Sequence, residues 1–244
     1  MLVITKTNDS LTLLSDCLAK QIPTESFVWL QEQQQIIQEG SERKLFTAFS
    51  SVPRYIEKTS FKLSESELAQ ARSLQAGWAP DRWTLDQVGR TLIILAFPLR
   101  DADRYVSTLD KIFAAADVGE AVALYQSLPL LSHPERFKLR AAEGIRTNMT
   151  VVFNAVALHN PYPAEYLDNL AWNQMILKAL FVGTPLYHIY GLQRRNNRQL
   201  AQMLLDYACE RLAAKRTVNP ELCELAAVFQ PETVTELKAA FDRN

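Results

Sequence analysis

TLDQVGRTLIILAF, residues Thr84–Phe97, carries the choice between helix and strand for the whole chain. Its second half, TLIILAF, is dense in β-branched and large apolar residues, as a buried strand would be. Its first half opens on Thr84 with Gln87 three residues later, a capping-box pattern that starts helices. Leu85, Val88, Leu92 and Leu95 then recur at spacings of three and four, which places them on one helical face. The apolar run continues that stripe. The segment therefore reads as a helix over 85–97.

The same signals recur from end to end. Ser64 with Glu67, Asp117 with Glu120 and Ser132 with Glu135 fit or approximate the capping box. Pro134, Pro163, Pro220 and Pro231 fall in first turns, where the missing N–H costs little. Pro53 marks a joint. A second stripe runs through Leu200, Met203, Leu204 and Tyr207. Only seven glycines occur and no Asn-Gly or Asp-Gly turn, which disfavours hairpins. The spacing predicts helices over 9–21, 25–39, 42–51, 65–76, 85–97, 103–116, 118–127, 133–145, 148–158, 164–182, 198–214, 220–229 and 232–242. The fold class is all-α. Antiparallel helix pairs stacked as an irregular HEAT-like right-handed superhelix are the expected architecture, and a compact irregular bundle is its competitor. We expect one domain over 1–244. Within it 1–62, with its Gln-rich WLQEQQQIIQEG and modest stripe of Phe27, Leu30 and Ile37, can serve as an N-terminal helical cap on a repeat-like body over 63–244.

A formal net charge of −1 lacks the basic excess that phosphate contacts demand, so nucleic acid is an unexpected partner. Cys17, Cys209 and Cys223 are few and without metal spacing, as in a reducing compartment. The longest apolar run, LIILAFPL, falls far below the ~20 residues that span a bilayer. These features point to a cytoplasmic protein, soluble or peripherally membrane-associated. There is no GxGxxG and no GxxxxGK(S/T), so no cofactor is implied. There is no GxSxG and no HExxH, and His133, His159 and His188 read as terminus or loop residues. No metal site and no catalytic residue follow. The cluster LQRRNNR reads as a solvated loop or as a site for an anionic partner.

One stretch, 143–183, mixes polar residues into apparent core. Were 140–158 helical throughout, Glu143, Arg146, Thr147, Thr150 and Asn154 would share a face. That stripe is either a solvent face or the lining of a concave surface. The following helix, WNQMILKALFVG, is apolar nearly all round, as a buried central helix is. Asn173, Gln174 and Lys178 would then lie inside and need partners. Lys178 either snorkels to solvent, meets Glu143, or helps form a pocket. The candidate ligand-binding set is Glu143, Arg146, Asn148, Asn173, Gln174 and Lys178.

Several blocks carry a family likeness: FSSVPRYIEK (49–58), LQAGWAPDRWTLDQVGRTLIIL (74–95), FAAADVGEAVALYQSLPLL (113–131), HPERFKLRAAEGIRTNM (133–149), AVALHNPYPAEYLDNLAWNQMILKALFVG (155–183) and LLDYACERLAAKRTVNPEL (204–222). Together they resemble the EboA-domain family over about Leu45–Phe229, leaving the first 40 residues outside. The resemblance implies a bacterial gene-cluster protein, notably of cyanobacteria, encoded beside a prenyltransferase-type membrane enzyme and soluble metabolic enzymes. It further implies secondary-metabolite production or translocation toward the periplasm. The expected function is a non-enzymatic binding or scaffold protein that takes a metabolite or a cluster enzyme on its concave face. The alternative is a metal-independent enzyme acting on a small or prenylated metabolite, with Lys178, Arg146 and Glu143 at its site.

Overall fold

The structure is a computed structural model and describes residues 2–241. It forms two compact units, 1–166 and 167–244. Among the described residues there are fifteen α-helices and no strand; one isolated bridge joins Ser60 to Thr84. No helix among them is long and apolar enough to cross a membrane.

The first unit holds α1 (Leu2–Ala19), α2 (Thr24–Ile37), α3 (Glu42–Ser51), α4 (Glu65–Leu74) and α5 (Leu85–Leu95). It continues with α6 (Ala102–Ala115), α7 (Val118–Ser127), α8 (Lys138–Arg146), α9 (Thr150–Ala157) and α10 (Tyr162–Tyr166). Helix α5 is the segment on which the fold class turned, and it is the hub of this unit. Thr84 and Gln87 form the expected capping box, and nine of the helix's residues are buried. Helices α1, α2, α3 and α7 all pack on it. Its apolar run is thus continuous for the reason a central strand's would be: neighbours lie on nearly every side. Gly89 permits a close approach of the turn that follows α3. A Cβ there would lie 2.7 Å from Ile56 Cδ1.

Ser64–Glu67 and Asp117–Glu120 also close as capping boxes. Ser132–Glu135 does not. The cap of that turn is His133, left-handed at φ 55°, and a 3-10 turn over Pro134–Phe137 precedes α8. Pro53 ends α3 in a 3-10 turn, as expected.

The second unit holds α11 (Asn169–Val182), α12 (Leu192–Arg195), α13 (Arg198–Ala213), α14 (Pro220–Ala227) and α15 (Pro231–Phe241). The expected single helix over 164–182 is two helices. Asp168 takes an extended backbone, and its carboxylate accepts from the Ala171 N–H at 2.8 Å. A side-chain cap restarts the helix where the apolar pattern alone suggested continuity. Helix α14 packs on α13 and α15, and α11 packs on α13.

Candidate functional site

Of the six candidate residues, Glu143, Arg146 and Asn148 belong to the first unit, and Asn173, Gln174 and Lys178 to the second. The chain breaks between the two helices expected over 133–145 and 148–158, so the face that one helix over 140–158 would have carried does not form. Helix α8 ends at Arg146, and α9 begins only at Thr150. Between them the Thr147 hydroxyl accepts from the Met149 N–H at 3.2 Å, turning the chain. Met149, between the two helices, is half exposed.

Helix α8 lies so close to its neighbours that a Cβ on Gly144 would meet the Tyr125 ring and Val156 at 2.7 Å. Glu143 sits beside this contact, about half exposed, and accepts from Arg140 Nη1 at 2.8 Å. Arg140 also donates to the Asp110 carboxylate at 2.7 Å and to its main-chain carbonyl at 3.2 Å, so it ties α8 to α6. Its guanidinium lies 6.0 Å from the centre of the Phe113 ring. Burial, with Glu143 nearby, pushes the Tyr125 hydroxyl up to about 12. Arg146 and Asn148 are exposed.

The fixed polar point of this region is Asn160, which is 3% exposed. Its amide donates to the carbonyls of Tyr125 and Ala155 at 2.9 and 3.0 Å, and its side-chain oxygen accepts from the Tyr162 N–H at 3.0 Å. One side chain thereby joins α7, the end of α9 and the start of α10. Its sequence signal is weak: an Asn before a proline, indistinguishable from an ordinary turn residue.

In the second unit Asn173 is fully buried, as expected. It exchanges amide hydrogen bonds with Asn197 at 3.2 and 2.9 Å. Asn197 also caps α13 by accepting from the Leu200 N–H at 2.9 Å. Gln174, expected inside, is exposed, while Lys178 is half-buried with its ammonium pKa lowered by desolvation. Helix α11 is therefore two-sided rather than buried all round: Trp172, Met175, Ile176 and Ala179 face inward, while Leu170 and Phe181 are exposed. Arg195, read as part of a basic loop, is a structural clamp. It donates to the Leu167 carbonyl at 2.7 Å and to Asn169 Oδ1 at 2.8 Å, and lies 4.9 Å from the Trp172 ring centre.

A buried ion pair on α5 escaped the sequence reading. Arg90 Nη1 donates to Asp86 Oδ2 at 2.8 Å, with both side chains 5% exposed. Thr84 donates to the other carboxylate oxygen at 2.5 Å, and the guanidinium lies 5.8 Å from the Phe49 ring centre. The i,i+4 spacing of opposite charges on an otherwise apolar helix was its available signal. Among the described residues no group of His, Cys, Asp and Glu is placed to hold a metal ion, and Cys17, Cys209 and Cys223 form no disulfide.

The fold and these contacts define an all-helical protein in which the buried amides of Asn160 and Asn173 tie one helix to the next. The chain belongs to the EboA family: the family model described as metabolite traffic protein EboA matches residues 10–227. The match begins well before Leu45, so most of the first 40 residues belong to the family's extent. No curated protein and no solved structure matches the chain.

Proposed function

We propose that this chain is a non-enzymatic binding or scaffold protein of metabolite traffic, acting in the cytoplasm with proteins of a bacterial secondary-metabolite gene cluster. The family description supports the traffic role. The observation that carries the binding reading is how the 143–178 polar groups are used. Glu143 is held by Arg140, and Asn173 by Asn197. A general acid–base pair needs a carboxylate or amine poised on substrate in a sheltered site; Glu143 is instead half exposed and paired within its own helix, and the Asn173 amide is taken up by Asn197. Arg146 and Asn148 of the first unit, and separately Gln174 of the second, remain on the surface, where a metabolite or partner protein can meet either. The succession α13–α14–α15, each packed on the next, supports the HEAT-like reading of the helix pairs.

Pull-down against the other proteins of the gene cluster, with calorimetry against the pathway's intermediates, tests the proposal. We expect at least one specific partner or ligand, bound without turnover. Chemical conversion of an intermediate by the purified chain overturns the reading, as does binding to neither class.

A further inference from the structure

Helix α2 carries Gln31, Gln34 and Gln35, and its C-cap Gln38 keeps helical backbone angles, so the four lie on one face at offsets of 0, 3, 4 and 7. Burial of Leu30 and Ile37 fixes that face relative to the unit's core. With Leu11 of α1 and with Leu95 and Ala96 at the end of α5, the four glutamines line an open cleft of about 390 Å³. That volume falls in the range of small-molecule sites, ~300–1,000 Å³. The Gln34 amide donates to the Leu92 carbonyl at 3.3 Å, which steadies one wall.

We infer that this cleft binds an uncharged amphipathic small molecule carrying hydroxyl or carbonyl groups on an apolar body. Each glutamine carries a carbonyl acceptor and two N–H donors, one of Gln34's being taken by Leu92, so the wall can meet either polarity of hydrogen bond. Leu11, Leu95 and Ala96 supply apolar surface for the body. Among the described residues no charged side chain lines the cleft. The cleft therefore offers a phosphate, sulfate or carboxylate no counter-charge among its lining residues. An ordinary solvent face on a helix mixes charged and neutral polar residues. This face has four neutral amides instead. The inference rests on the binding-protein reading and names the class of ligand and its place.

The test is heteronuclear NMR of the full chain with its glutamine side-chain amides assigned. The probes are catechol, resveratrol and catechin, with protocatechuate and resveratrol sulfate as anionic counterparts. We expect the neutral probes to shift the amides of Gln31, Gln34, Gln35 and Gln38, and the anions to bind about tenfold more weakly or not at all. A Gln35→Ala/Gln38→Ala variant, changed only at exposed positions, keeps its melting temperature and loses about tenfold in affinity. The inference fails if anions bind as tightly as neutral probes, or if the double variant binds unchanged. Shifts centred on Arg146, Asn148 and Gln174 overturn it while leaving the binding-protein reading intact. No shift anywhere in the chain overturns the ligand class, and that reading then stands or falls on partner capture alone.

Discussion

Asn173 of α11 and Asn197, the cap of α13, satisfy each other's amides in both directions at 3.2 and 2.9 Å. The pair converts two polar groups that would oppose burial into a register pin between two helices. Asn173→Leu leaves the Asn197 amide short of a partner and should cost about 1–3 kcal/mol in urea unfolding. Asn197→Ala removes the pair and the cap together and should cost more. In a double-mutant cycle the two losses should be strongly non-additive; simple additivity would mean that the pair does not couple the helices.

Asp86 and Arg90 form an ion pair out of reach of water. Arg90→Met strands a carboxylate in the core and should destabilise the first unit by about 3–5 kcal/mol. Asp86→Leu/Arg90→Met together should recover most of that loss, because an apolar pair of similar size needs no solvation. A double variant no more stable than the single one would show that the Thr84 contact, rather than the charge, is what matters.

Gly144 is required for volume rather than for backbone freedom. Gly144→Ala places a methyl within 2.7 Å of Tyr125 and Val156. Overpacking of this kind should cost about 1–3 kcal/mol and lower the melting temperature. A neutral result would show that α8 can move away from α9 freely.

Glu67 carries a pH signature. Lys20, then the Ser64 N–H and hydroxyl and the Cys17 thiol, hold its carboxyl down to about 2 from an ordinary 4.5. Because the folded value is depressed, its contribution is fully present above pH 4.5 and is lost as pH falls from there toward 2. Urea midpoints measured across that window should fall less steeply for Glu67→Gln than for the parent chain. Parallel curves would assign the acid sensitivity to other carboxylates.

Lys178 separates the binding reading from the enzymatic one. Lys178→Met should fold and should support metabolite traffic in cells as the parent does. Traffic abolished in a folded Lys178→Met protein would restore the amine as a reacting group.

The helices were legible because their signals are local. Capping boxes at Ser64, Thr84 and Asp117 and stripes at three-and-four spacing act within one or two turns. The Gln-rich composition of the α2 segment was legible too, while the face its glutamines share emerged with the helix. The boundary at Leu167–Asp168 was not, because an apolar pattern on both sides concealed a cap.

The 143–178 residues show where sequence stops. Asn173 reads as an interior amide in need of a partner, and that much follows from its apolar surroundings on a helix. Its partner, Asn197, lies twenty-four residues away on another helix. So too does Asp110 lie thirty residues from Arg140, and Tyr125 thirty-five from Asn160. Local chemistry determined that this chain is all-helical, which residues start its helices, and which polar groups had to be satisfied. Tertiary structure alone decided what satisfies them, because hydrogen bonds between helices depend on packing distances that no spacing within one helix contains.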